Sequence, residues 1–273
     1  MHIKHRSLCL YCSVIVFVYF VFVQHSFAVS IKSLDLLYTG SIITNRNNFG
    51  PYHEAGISTT LSVRETPLIA QLNGQHRSYP DTSLTDMQVK LDIWPILWDH
   101  SYANIMIAYS PEILSDPLYP DYQFLSELYF TRLINSELSL GAKISFYQDA
   151  TPLSLTASWS IITDVKTLQT RIFCLPFKSG IEVSGNIQYN RMIITDKLII
   201  GAGAGGGTQS SDYLEKIQYR HLLLINAKLY GKYHFSKNSS IIVTPVYSYE
   251  EYLPERFTSK IDVQLIITLG YQK

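Results

Sequence analysis

The chain has 273 residues, 22 Lys+Arg against 22 Asp+Glu, 47% hydrophobic residues and 20 tyrosines. This near-neutral balance argues against a nucleic-acid partner, which needs a basic face. Three cysteines, two of them within the first twelve residues, exclude a small disulfide-stapled fold.

At the N-terminus, Lys4 and Arg6 precede an apolar run from Leu8 to Val23 that only Ser13 interrupts. Ser26 and Ala28 then stand at the small-residue positions of a cleavage site, and the layout predicts a secretory signal peptide over residues 1–28. The alternative is an uncleaved anchor helix, because such a run approaches the lower length limit of a membrane span. Neither Cys9 nor Cys12 sits at the cleavage point, so no lipoprotein anchor is expected. Residues 29–273 then form one domain, with Cys174 as its single cysteine and 20 Lys+Arg (22 less Lys4 and Arg6) against 22 acidic residues.

From residue 31 onward the chain reads as runs of alternating polarity closed by turn residues. These runs are 31–44, 51–64, 67–79, 82–95, 98–110, 118–133, 137–147, 152–162, 166–177, 180–192, 196–206, 216–234, 238–251 and 256–271, fourteen in all, or twelve if two short runs belong to loops. In 52–64, His53, Ala55, Ile57, Leu61 and Val63 oppose Glu54, Ser58, Ser62 and Arg64; in 119–131, Tyr122, Phe124, Leu128 and Phe130 oppose Asp121, Gln123, Glu127 and Tyr129. In 137–147, Leu138, Leu140, Ala142, Ile144 and Phe146 share one face. The last run places Val263, Leu265, Ile267, Leu269 and Tyr271 on one face, the pattern of a barrel-assembly signal, although Gln272 and Lys273 follow the terminal aromatic. Turn chemistry separates the runs at Asn45–Pro51, Ser78–Asp81, Pro111–Pro117, Asp149–Pro152, Lys178–Gly180 and Thr208–Asp212.

A soluble β-sandwich also alternates, but its strands are shorter and its apolar face points inward. Long runs, aromatic residues near the run ends and an export signal together predict an all-β, antiparallel transmembrane β-barrel in the outer membrane of a Gram-negative bacterium. An even strand number with a cleaved signal places both termini in the periplasm, and the connections 45–51, 80–82 and 111–118 are expected to alternate between faces.

With the apolar face toward lipid, parity assigns Asp35, Glu54, Arg64, Lys90, Asp92, Glu127, Lys143, Arg171, Glu182, Arg220, Lys228 and Asp262 to the lumen. A turn centred near residue 135 would set Glu127 opposite Lys143. Charges on an inner wall either pair and fill a narrow barrel or hydrate a permeating solute; lone buried ions cost several kcal/mol, so partners are required. Acids and bases balance in this set, which does not fit a pore for polyanions. Residues 201–207 (GAGAGGG) lack the following helix and the lysine of a phosphate loop, and read as a strand whose bare face allows curvature or makes room inside the barrel. His53, His76 and His221 fall on the outward face and His100 in a turn, so neither a metal nor a catalytic constellation is readable and no cofactor is expected.

The order Ala108-Tyr109-Ser110-Pro111, an acidic proline-containing loop, Glu127-Leu128-Tyr129 and Leu138-Ser139-Leu140-Gly141 resembles the YaiO-like outer-membrane β-barrel family. Thr170-Arg171-Ile172, Pro176, Arg191 and the closing alternation to Tyr271 extend the resemblance over about 33–271. The family is in turn distantly similar to the terminal barrel of the cellulose synthase export component, through which an exopolysaccharide leaves the cell. The resemblance implies a porin-like barrel that serves as a narrow conduit or as a component of envelope or exopolysaccharide export. Its partners would be outer-membrane lipid and lipopolysaccharide, the barrel-assembly machinery, and a glycan or small solute. A structural or surface-interaction barrel is the alternative, and a rim-located enzyme a further one.

Overall fold

The computed structural model describes residues 29–43, 52–78, 83–111, 119–131, 135–147, 151–177, 180–209, 222–253 and 256–270. The expected signal peptide, Arg220, His221 and Tyr271 lie outside them.

The strands are β1 (Val29–Ile43), β2 (Tyr52–Val63), β3 (Thr66–Ser78), β4 (Ser83–Ile93), β5 (Ile96–Trp98), β6 (Ser101–Tyr109), β7 (Tyr122–Phe130), β8 (Ser136–Phe146), β9 (Leu153–Ile162), β10 (Lys166–Phe177), β11 (Gly180–Ile194), β12 (Leu198–Gln209), β13 (Leu222–His234), β14 (Ser240–Leu253) and β15 (Arg256–Gly270). Each pairs antiparallel with its sequence neighbour, except that β4 and β5 both pair with β6 and not with each other; β1 also pairs with β15, so the sheet closes on itself. The three-residue β5 continues the lane of β4 along β6 after a break at Trp94-Pro95, where Pro95 has no N–H to contribute. Counted by lanes, the wall is a fourteen-strand barrel, as the periodicity predicts. Strands of 9 to 15 residues suit a tilted crossing of a hydrocarbon layer.

Which residues face where decides the surrounding solvent. Ser58, Asn73, Gln75, Asp86, Gln88 and Ser158 are buried on the inward face, while Ile57, Leu72, Phe124, Leu140, Ile187 and Leu229 are exposed on the outward one. This is a globular protein turned inside out, and an apolar belt of that extent is stable only against lipid. Strand propensity and environment agree here, since β-branched and aromatic residues dominate the outer positions.

The turns follow from the same register. Val63 pairs with Thr66, which leaves Arg64 and Glu65 as a two-residue hairpin with φ of 48° and 72°. Arg64 is therefore an exposed turn residue, and its expected place in the lumen is corrected: the alternation ends at Val63. The expectation that the connections after β1, β3 and β6 alternate between faces is also corrected. Two lanes separate each from the next, so the strand ends that flank them all lie at the end away from the chain termini. Pro245 stands within β14; β13 and β14 pair at Lys228↔Val246 and again at Gly231↔Val243, and Leu229 and Tyr230 between them have no ladder partner on β14, though both pair with β12.

Candidate functional site

The site is the lumen, and it is built differently on its two sides. Near the terminal end, Asn104 on β6 faces Glu127 on β7, which faces Gly141 on β8. A Cβ at Gly141 would stand 2.9 Å from the Glu127 side chain, so the glycine is what lets Glu127 lie across the wall. Glu127 is 2% exposed; its Oε1 accepts from Arg171 Nη2 at 2.9 Å and from the Ser139 hydroxyl. Ser139 in turn meets Ser158 Oγ at 2.5 Å. Beside this network Tyr102 and Tyr129 stack with ring centroids 4.6 Å apart, Trp94 tilts against both, and Tyr102 donates to Glu137 Oε2 at 2.5 Å. A carboxylate this deep is stable only with such partners.

Near the opposite end, part of the connection between β6 and β7 returns to the inner wall. Tyr119 donates its hydroxyl to Glu54 Oε1 of β2 at 2.9 Å and its backbone N–H to Asp86 Oδ2 of β4, also at 2.9 Å. The second oxygen of Glu54 accepts from Tyr52 at 2.6 Å, and the second oxygen of Asp86 accepts the Met87 N–H at 2.7 Å. Arg77 lies over the Tyr52 ring at 5.6 Å. Burial, and after it the Glu54 carboxylate, pushes the Tyr119 hydroxyl well above the ordinary tyrosine range.

Along β10–β15 the inward face is looser. Gly201, Gly203, Gly205 and Gly207 of β12 point inward between the side chains of β11 and β13, with Ala202 and Ala204 outward. Lys228 lies over Gly203, where a Cβ would come 2.8 Å from its Cε. Gln264 of β15 is inward by register, opposite Thr244 and Thr39, and remains exposed.

The parity set is placed as follows. Asp35 accepts from Ser58 at 3.3 Å, Lys90 pairs with Asp92 at 3.2 Å, and Asp262 meets Lys260 at 3.8 Å. Glu54, Glu127 and Arg171 belong to the clusters above, Glu182 is fully buried, and Lys143 and Lys228 face inward with partial exposure. The expected Glu127–Lys143 pairing is corrected: β7 and β8 are in a register that sets Lys143 opposite Leu125, and Arg171, from β10, takes the Glu127 carboxylate. The turn is centred one residue earlier than the sequence suggests, with Asn135 at φ 57°.

Parity could have found Arg77, Asp86, Glu137 and Lys260, which share inward faces with Gln75, Asp92, Ser139 and Asp262. Tyr119 falls in the run 118–133 on the side of Asp121 and Gln123, but the structure sets it ahead of β7, so strand parity does not report the carboxylates it meets.

A family model, the YaiO membrane beta barrel domain, matches residues 33–212. The chain belongs to that family. The matched part of this YaiO barrel ends short of the 33–271 expected from the sequence, yet β13–β15 beyond it complete the same wall. No curated protein matches by sequence. Among solved structures, the outer membrane protein Omp33 of Acinetobacter baumannii is similar at 9% identity and TM-score 0.51, over 88% of this chain and 99% of that one. A mutant of the TodX monoaromatic hydrocarbon channel is similar at 9% identity and TM-score 0.52, over 89% and 90%. At such identity the likeness is one of fold. The YaiO barrel is an outer-membrane protein of porin-like architecture.

Proposed function

We propose that this barrel is a narrow conduit for polar solutes that serves envelope or exopolysaccharide export. The observation that carries the reading is Gln264: a side chain on the inner face of a closed wall that stays exposed fits a lumen that holds water. Lys143, Lys228 and Lys260 also keep partial exposure on that face, as cations lining an aqueous passage do. The family's distant similarity to the barrel through which cellulose synthase passes its polymer supplies the export context. With an even number of lanes and both termini at one end, that end is read as periplasmic.

The reading is of a non-catalytic protein. His53 and His76 face outward, where Tyr38 and Thr85 occupy their Nδ1 atoms at 2.9 and 2.8 Å, so they are not set around a substrate in the lumen. Purified protein in planar lipid bilayers is expected to give discrete conductance steps in potassium chloride. A tight seal at every voltage would overturn the conduit.

A further inference from the structure

The loose wall has a chemical character that charge counting misses: a cluster of carboxamides stands among its inward groups. Gln169 of β10 faces Gln188 of β11 across the ladder, Asn186 and Asn190 flank Gln188 on the same face, and Asn226 and Gln264 continue the theme on β13 and β15. None of these side chains is fully buried.

The glycines of β12 organise them. A Cβ at Gly201 would overlap Asn190 Oδ1, and one at Gly205 would fall 3.0 Å from Asn226 Oδ1 and 3.1 Å from Asn186 Cβ. The amides of the two flanking strands therefore lean over bare backbone instead of standing into the lumen. The result is a low, continuous polar surface. Gln188 Nε2 donates to Asn190 Oδ1 at 3.0 Å. Among the described residues, the side chains of Gln169, Asn186, Asn226 and Gln264 make no hydrogen bond within the protein, which leaves their donors and acceptors to whatever fills the lumen.

A carboxamide presents a donor and an acceptor without charge. A row of them matches a chain of hydroxyls, each of which also donates and accepts, and gives no Coulombic attraction to an ion. The inward charges of this wall are of both signs: Arg171, opposite Asn186, is held by Glu127, and Lys228, Lys232 and Lys260 are set against Glu182 and Asp262. The opposite wall cannot play this part, because its carboxylates and tyrosines are engaged with one another.

We infer that the carboxamide wall of β10–β15, laid over the β12 glycines, is a binding track for an uncharged, hydroxyl-rich chain, that is, a neutral glycan moving along the lumen. This rests on the conduit reading and names its substrate class. The test is single-channel current with a linear glucose hexasaccharide added, compared with a hexa-uronate of equal length. The neutral hexamer is expected to interrupt the current and the uronate to interrupt it far less. In N186L/N190L/N226L the half-blocking concentration of the neutral hexamer, read relative to that variant's own open-channel current, is expected to rise about tenfold or more, the loss of a hydrogen bond's worth of binding or somewhat over. Should that variant fail to assemble, the shape-preserving N186D/N190D/N226D, which removes the amide donors, is expected to show a loss of the same direction. Equal block of wild type and variant, or block by the uronate as strong as by the neutral hexamer, overturns the track. If wild type carries no current, calorimetric titration of the purified barrel with the neutral hexamer separates the two ideas. Binding that the variant loses keeps the track and removes the conduit; no binding by wild type removes the track.

Discussion

Along β3–β8 many inward side chains are buried and hydrogen-bonded to one another, whereas along β10–β15 most keep partial exposure. In the first stretch Asn104 Oδ1 and Trp94 Nε1 are buried without a hydrogen-bond partner among the described residues. Asn73, Gln75, Arg77, Asp86, Gln88, Asp92, Glu127 and Tyr129 are all buried, while Gln169, Asn186, Gln188, Asn226, Lys228 and Gln264 are not. Both walls alternate in the same way and both are polar. The difference lies in size and partnership: the first wall carries carboxylates with tyrosine, serine and arginine partners, and the second carries glycines with amides leaning over them. A barrel of this strand number encloses more space than side chains of one wall can fill. The structure fills one side with a hydrogen-bonded network and leaves the side chains of the other partly exposed.

The largest expected effect comes from breaking the filled wall at its centre. Arg171→Leu leaves Glu127 buried without its cation and is expected to cost about 3–5 kcal/mol, measured by urea unfolding in lipid vesicles. Gln188→Leu on the loose wall, made as the counterpart, should cost well under half of that; equal losses would erase the distinction between the walls. Next is the lipid face. Leu140 is 62% exposed at the middle of β8, and Leu140→Arg is expected to cost about 2–4 kcal/mol by the same assay. A negligible cost would argue against lipid as the solvent there.

Tyr119→Phe removes one hydrogen bond to a carboxylate, worth about 1.5–3 kcal/mol, and should enlarge single-channel conductance by freeing the connection from Glu54. Unchanged conductance would mean that the tether does not narrow the passage. The same hydroxyl gives a pH signature with a definite sign. Its acidity is weakened in the folded state, so the unfolded chain loses that proton first, and stability falls as pH rises above the ordinary tyrosine value of about 10. Tyr119→Phe is expected to remove part of that alkaline decline. The smallest effect is at the glycines: Gly203→Ala sets a methyl 2.8 Å from the Ile187 carbonyl and from Lys228 Cε. A loss of about 1–3 kcal/mol is expected from overpacking, seen as a modest shift of the unfolding midpoint, and no shift would show that the β11–β12 seam gives way freely.

Much of this molecule is legible in its sequence because a barrel in lipid has only two kinds of position. The fourteen runs of alternating polarity agree with the fourteen lanes to within a few residues at their ends, and Leu138, Leu140 and Phe146 face outward as the period requires. What is not legible is anything set by register across strands. A shift of one residue in a turn centre moves Lys143 away from Glu127, and no pattern within β7 or β8 reports it. Arg64 shows the related problem at an end, where a two-residue turn and a longer strand read alike until the backbone is seen. Tyr119 is a third kind of case, since the carboxylates that hold it lie on lanes 33 and 65 residues away in sequence.

The interrupted ladder at Pro245 has a mechanical meaning for a ring of strands. Every other seam between long strands near the middle of the wall is stitched by regular rungs, but Leu229 and Tyr230 pass Pro245 without one, while β14 keeps its pairing to β15 through Val263. A proline in a strand lacks the N–H that would complete the rung. In a closed hoop under lateral pressure from the bilayer, load passes from strand to strand through such rungs. The β13–β14 seam carries it with a gap inside its run, within the looser wall, whereas the β4–β6 seam carries it on fewer rungs without a gap.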